Sequence, residues 1–262
     1  MLISRKMNKT GLIMEKENML EKETYEDIAI LKLNRPQQSN ALNKALFLKL
    51  TEQLDHLRWN DEISVVIITG NGEKTFCAGI DLKERGQKQS DEIFLEREKI
   101  IRPFYLALGD FPKPVICALN GSAYGGGAEL ALTCDLRIAV ESAKFSQSEI
   151  KWGMIPSCGA CQRLRLIVGM GIAKEIILTG RTIEAKEACR VGIYNRIVKE
   201  KNLMDEAIKL AKEISNNPLV AVKQAKKVLD SGADIKTAMD FDFEASKECF
   251  FAGNALSKPK AF

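Results

Sequence analysis

Histidine is almost missing from this 262-residue chain: His56 stands alone. Its scarcity removes Ser-His-Asp and Cys-His catalysis, which need an imidazole beside the nucleophile. His56 itself lies in an ordinary helical stretch and reads as a surface residue. No apolar run approaches the roughly 20 residues that cross a bilayer, so no membrane partner is expected. Nor is there a basic block: 39 Lys and Arg against 35 Asp and Glu leave +4, spread along the chain. Without such a block, nucleic acid is not an expected partner. The seven cysteines are odd in number, scattered and mostly set in apolar runs, which suits buried reduced thiols of a cytoplasmic protein and not a disulfide framework. Cys158 and Cys161 form one C-x-x-C pair with no second pair nearby. It cannot complete a four-coordinate metal site and reads as small-residue packing. No metal is expected.

From Met1 to Lys22 the short apolar pieces are broken by Asn8, Glu15, Glu17 and Asn18. That leader lacks a signal-peptide core, and its acids argue against a transit peptide. Residues 1–23 are read as a tail.

What remains is a globular composition, 45% apolar and 28% charged, long enough to bury a large core. Alternation begins at Ile28 (IAILKLN) and predicts a strand ended by Pro36. Leu46, Leu50, Leu54 and Leu57 share one helical face. SVVIITG (Ser64 to Gly70) and PVICALNG (Pro114 to Gly121) are continuous apolar runs of the buried-strand kind, with a helix between them over Ser90 to Leu108. LRIAV (Leu136 to Val140) and AKFSQ (Ala143 to Gln147) predict two more strands. Beyond Ala160 the spacing turns helical. The partial glycine motif in RLIVGMGIAK (Arg165 to Lys174) lacks a third glycine and reads as a helix–turn–helix connection. Early alternation of strands and helices predicts an α/β core, residues 24–200, followed by a helical region, 201–262.

The densest signal is NGSAYGGGAELALTCD (Asn120 to Asp135). Gly125, Gly126 and Gly127 open an apolar helical segment whose only charge before Asp135 is Glu129. Glycines let backbone approach a ligand closely, and a helix start offers unpaired N–H groups with partial positive charge. Such a place can hold a developing oxyanion beside a carboxylate. An unpaired carboxylate among small apolar residues is costly without a purpose.

Four segments, LNRPQQSNALN (Leu33 to Asn43), TFCAGIDLKE (Thr75 to Glu84), NGSAYGGGAELALTCDLRIA (Asn120 to Ala139) and FSQSEIKWGMIPSCGACQRL (Phe145 to Leu164), follow one another in an order that resembles the enoyl-CoA hydratase/isomerase, or crotonase, superfamily. The resemblance covers about Thr24 to Phe251. LKER and CDLRIA look most like the methylglutaconyl-CoA type of hydratase. The likeness implies an α/β spiral of repeated β-β-α units with a C-terminal helical region, assembled as a homotrimer or homohexamer. It also implies an acyl-CoA thioester as substrate, with no other cofactor.

By the same resemblance, the N–H groups of Ile80 and Gly126 form the oxyanion hole, and Glu129 and Glu149 are the catalytic pair. Glu129 would hold and deprotonate water while Glu149 protonates the α-carbon, which requires a desolvated, protonated Glu149. Ala41, Leu42, Ala78, Gly79, Asp81, Leu82, Lys83 and Gly125 would contact the CoA thioester, Lys83 toward its nucleotide end. Read without the resemblance, Glu149 and its polar neighbours suit an exposed loop equally well, and Lys83 suits a solvated lysine. The chain departs from the family at Ser157 to Cys161, usually richer in glycine, at Ser148, usually proline, and at its carboxyl end. The implied reaction is hydration of a 2-enoyl-CoA. Isomerisation or another acyl-CoA reaction on the same scaffold, and acyl-CoA binding without turnover, stand as alternatives.

Overall fold

The structure, a computed structural model, describes residues 18–232 and 235–252. The leader before Asn18 and the carboxyl end from Gly253 lie outside the described residues. The strands are β1 (Leu20–Tyr25), β2 (Ile28–Leu33), β3 (Val65–Gly70), β4 (Thr75–Cys77), β5 (Val115–Leu119), β6 (Ser122–Tyr124), β7 (Leu136–Val140), β8 (Lys144–Ser146), β9 (Thr182–Glu184) and β10 (Arg196–Val198). They form two sheets, one ordered β1-β2-β3-β5-β7-β10 and the other β4-β6-β8-β9. Only β1–β2 and β8–β9 pair antiparallel; the remaining neighbours are parallel.

Sheet membership alternates along the chain. β3 and β4, β5 and β6, and β7 and β8 each give one strand to the large sheet and the next to the small one before a helix follows. This is the repeated β-β-α spiral. Parallel strands covered on both faces read as continuous apolar runs, and β3 and β5 are buried at every position. The three-residue strands of the small sheet are too short to carry a periodic signal. Two of the strands, β9 and β10, fall where the sequence predicts only helices.

The helices are α1 (Lys44–Arg58), α2 (Leu82–Arg85), α3 (Ser90–Glu96), α4 (Arg102–Gly109), α5 (Gly126–Thr133), α6 (Ala160–Val168), α7 (Met170–Thr179), α8 (Ala185–Arg190), α9 (Leu203–Ser215), α10 (Leu219–Asp230) and α11 (Ile235–Phe251). A π-helical turn, Arg97–Ile101, joins α3 to α4. In α1 the Asn43 side chain accepts from the Leu46 N–H at the N-terminus. Leu46, Leu50, Leu54 and Leu57 are buried as their spacing predicts. At its other end, fully buried Lys113 donates to the carbonyls of Leu57 and Asn60 at 2.7 and 2.6 Å.

Two boundaries move. The tail read as residues 1–23 gives way at Leu20 to β1, whose register runs from Leu20↔Leu33 to Tyr25↔Ile28. Its charged sequence, LEKETY, is that of an exposed edge strand, where charges oppose edge-to-edge pairing; the same charges hide it from hydrophobic pattern. The helical region read from 201 also divides. α9 packs on β3, β5 and β7 and buries Leu203, Ala207 and Ala211, so it belongs to the core. α10 buries none of its residues and packs chiefly against α11, while Lys226 ties it to the core through Asp135.

Candidate active site

The motifs meet in one cleft, whose lining includes Leu42, Ile80, Asp81, Gly126, Glu129 and Glu149. Its floor is backbone. Leu42 and Ile80 form an isolated parallel bridge: the Leu42 N–H donates to the Gly79 carbonyl at 2.7 Å, and the Asp81 N–H donates to Leu42 at 3.0 Å. In a parallel bridge the middle residue turns its own N–H away from its partner, so the Ile80 amide faces the other side. There it meets the start of α5, where Gly126 occupies the first helical position and has no intrahelical acceptor. A Cβ on Gly126 would stand 3.4 Å from the Ile80 nitrogen. The two donors therefore flank one small space.

Glycine is required around that space for close approach. At Gly79 (φ +95°) a Cβ would stand 3.0 Å from the Gly126 nitrogen and 2.7 Å from the Tyr124 carbonyl oxygen. At Gly127 it would stand 2.3 Å from the Cys77 carbonyl oxygen. The Tyr105 hydroxyl donates to the Gly126 carbonyl at 2.7 Å and fixes the helix start from the opposite side.

Glu129 lies one turn into α5 and is only 5% exposed. One carboxylate oxygen accepts the Cys158 backbone N–H at 2.6 Å. Burial, and then the charge of Glu149, push its carboxyl up to about 7 against the opposing pull of that N–H. Glu149 begins a short 3-10 turn, Glu149–Trp152. Its carboxylate rests beside Gly125, where a Cβ would stand 3.3 Å from Oε1. Burial raises Glu149 too, and the nearby Arg97 charge lowers it. With its amide nitrogen facing the site, fully buried Gln147 donates to both Glu149 oxygens at 3.1 Å. Burial thus raises both acids, Glu129 to about 7, so each keeps its proton to higher pH than an ordinary carboxyl.

The remaining expected contacts divide. Leu42 and Asp81 face the cleft; Ala41, Ala78, Gly79, Leu82, Lys83 and Gly125 are not among its lining residues. Gly79 and Gly125 act on it through backbone geometry. Ala78, Leu82 and Lys83 are exposed beside it. Asp81 caps α2 by accepting from the N–H groups of Lys83 and Glu84, and it pairs with Arg35 at 2.8 Å. Burial pushes its carboxyl up, but that guanidinium and the cap bonds win and hold it below the usual range. Arg35 also donates to the Ala41 carbonyl, clamping the NAL segment to the AGID segment.

Sequence reasoning missed Arg35, Gln147, the Cys158 N–H and Arg97 as parts of this site. Arg35 and Gln147 sit inside quoted motifs, so a buried polar side chain beside a functional acid was the available signal. Cys158 and Cys161 have thiols raised by burial, Cys158 to about 12, which leaves neither as a thiolate. Among the described residues no group of three His, Cys, Asp or Glu side chains is placed to hold a metal. No helix there is long and apolar enough to cross a membrane.

Known proteins resemble this chain in sequence and fold. The profile of the family described as enoyl-CoA hydratase/isomerase matches residues 23–252. A short-chain-enoyl-CoA hydratase of Clostridium acetobutylicum is 40% identical over 261 residues, covering 98% of this chain and 95% of that protein. A crotonyl-CoA hydratase of Syntrophomonas wolfei is 38% identical over 243 residues, covering 90% and 91%. The crystal structure of an enoyl-CoA hydratase from Bacillus anthracis superposes with a TM-score of 0.87 at 37% identity, over 89% of this chain and 92% of that one.

Proposed function

Given that the chain belongs to the enoyl-CoA hydratase/isomerase family, we propose that it adds water across the 2,3 double bond of a 2-enoyl-CoA to give a 3-hydroxyacyl-CoA, and runs the reverse. The observation that carries this reading is the pairing of two raised carboxyls, Glu129 and Glu149, with two convergent amides, Ile80 and Gly126, in one cleft. The thioester oxygen sits between the two N–H groups, which stabilise the enolate charge as the C3–O bond forms. One carboxylate takes a proton from the water, and the other carboxyl delivers a proton to C2, the two additions being syn. Mutual repulsion lets the pair share a single proton near neutral pH. Substrate binding then sets which acid holds it, with Glu129 acting on the water and Glu149 on C2. No cofactor beyond the CoA of the substrate enters this scheme.

Crotonyl-CoA is the first substrate to try, on the strength of the named relatives, with 3-methylglutaconyl-CoA as the branched, acidic comparison. Loss of absorbance from the conjugated thioester reads hydration directly, and product masses separate it from isomerisation. Glu129→Gln and Glu149→Gln should each lower kcat by about 10²–10⁴. Turnover equal to the unaltered protein in either variant sinks the two-carboxylate assignment.

Assembly belongs to the same reading. α10 and α11 leave Leu229, Phe241, Phe243, Phe250 and Phe251 exposed, and clustered exposed apolar residues mark interaction surfaces. A homotrimer or homohexamer in the cytoplasm would cover it, and sedimentation velocity tests the oligomer.

A further inference from the structure

The cleft lining also carries a side-chain contact that takes no proton in the proposed reaction. Arg97 opens the π-helical turn between α3 and α4, a distortion that shifts side-chain register and is frequent at functional sites. The turn brings both Arg97 and Ile101 to the cleft. The Arg97 guanidinium donates to the Ser157 hydroxyl, a partner 60 residues away. Among the described residues Arg97 forms no ion pair, whereas nearby Lys88 is held by both Glu84 and Glu96 at 2.6 and 2.5 Å. Ser157 precedes Cys158, whose N–H holds Glu129. The guanidinium is near enough to both Glu149 and Cys158 for its charge to lower their acid groups.

The substrate placement proposed above gives the cleft a direction. With the thioester oxygen between the Ile80 and Gly126 amides and C2 and C3 beside the two acids, carbon 4 and its successors point past Glu129. Ser157 and Arg97 line the same cleft with Ile93, Ile101 and Ile155, and on this placement they stand at its acyl end. Resting on the hydratase reading, we propose that the Arg97–Ser157 contact is a gate across the acyl end of the cleft, which sets the length of acyl chain the enzyme accepts. A short chain ends before the gate. A longer alkyl chain must break the contact and strip water from a guanidinium, and methylenes offer neither a hydrogen bond in return.

The test compares the unaltered enzyme with Arg97→Leu and Ser157→Gly on crotonyl-CoA and trans-2-octenoyl-CoA. Calorimetric Kd values for butyryl-CoA and octanoyl-CoA are measured beside them. In both variants the eight-carbon to four-carbon ratio of kcat/KM should rise about tenfold or more, chiefly through KM, since a few methylenes in a fitted pocket are worth at least that. The ratio of the two Kd values should move the same way. If both ratios stay within about twofold of the unaltered enzyme in either folded variant, a change smaller than one methylene brings, the gate is overturned. It is overturned equally if Arg97→Leu lowers kcat alike on every length and displaces the pH profile, for then the guanidinium serves Glu149. A preference for a carboxylate-tipped enoyl-CoA that vanishes in Arg97→Leu overturns it too, by making the residue an anion anchor. Should the unaltered protein hydrate nothing, the hydratase reading fails, while the Kd series still decides the gate.

Discussion

The two walls of the cleft are made by different means. One, from residues 79–81 and 125–129, is main chain: amides, glycines and a helix start locked between the sheets, with side chains kept out by approaches as close as 2.3 Å. The other, from the π-turn and residues 154–158, is built largely of half-buried and exposed side chains, with Arg97 reaching Ser157 and Arg85 reaching Met154. The first wall can stabilise a charge without moving, because its dipoles are already aimed. The second can change composition at little cost to the fold. Chemistry resides where the backbone is over-determined, and selectivity where it is not.

The most severe way to break the contrast is Gly127→Ala. Its Cβ would stand 2.3 Å from the Cys77 carbonyl oxygen and 2.7 Å from the Cys77 Cβ, and neither atom can swing aside. Overpacking a close-fitted site costs about 1–3 kcal/mol, occasionally more, and contacts this short against backbone put it at the upper end, so this variant should melt far lower or fail to fold. An unchanged thermal midpoint would refute the rigidity of that wall. One residue earlier the outcome should differ. At Gly126 a Cβ meets Ile80 atoms at 3.3 to 3.4 Å, partly the mobile end of a side chain. Gly126→Ala should therefore fold, yet it places a methyl where the thioester oxygen would sit. The expected loss is about 10²–10³ in kcat, the size of one missing oxyanion donor, with a nearly unaltered melting curve. Full activity in this variant would show that the space between Ile80 and Gly126 is not where the oxygen binds.

The carboxylate set into that wall makes the next test. Burial raises Glu129 from its ordinary 4.5 to about 7 in the folded protein. Between those values Glu129 is protonated in the folded state and ionised in the unfolded one, so its contribution to stability falls as pH rises and is level above and below that window. Glu129→Gln removes the ionisation and should flatten the slope. The variant gains over the unaltered protein by about 3 kcal/mol at pH 8 and by little at pH 4. Denaturant unfolding at both pH values measures the difference; parallel pH profiles would mean that Glu129 is solvated in the folded chain.

The same division explains what the sequence reveals. Gly126, Glu129 and Ile80 lie in contiguous motifs whose glycine content has a local physical cause, and the four leucines of α1 declare their face by spacing alone. What escapes is assembled at long range. Arg35 meets Asp81 across 46 residues and the Cys158 N–H meets Glu129 across 29, and no local pattern encodes either distance. The three-residue strands of the small sheet escape because they are too brief to show alternation, and β1 because an edge strand carries charge. The upward shift of the Glu129 and Glu149 carboxyls escapes for another reason: it depends on how much water each loses, which only packing decides.

Ser157→Ala is the mildest probe and sharpens the comparison from the opposite side. It deletes the hydroxyl that Arg97 reaches but leaves the Cys158 N–H on Glu129 and every glycine contact in place. An exposed polar contact contributes little to folding, since water replaces it, and such surface changes stay within about 0.5 kcal/mol. In a chain of this size that is a shift of only about 1–2 °C in Tm. A larger fall would mean that the second wall, like the first, is part of the scaffold. Stability that holds while acyl preference changes would place the two properties in separate walls of the same cleft.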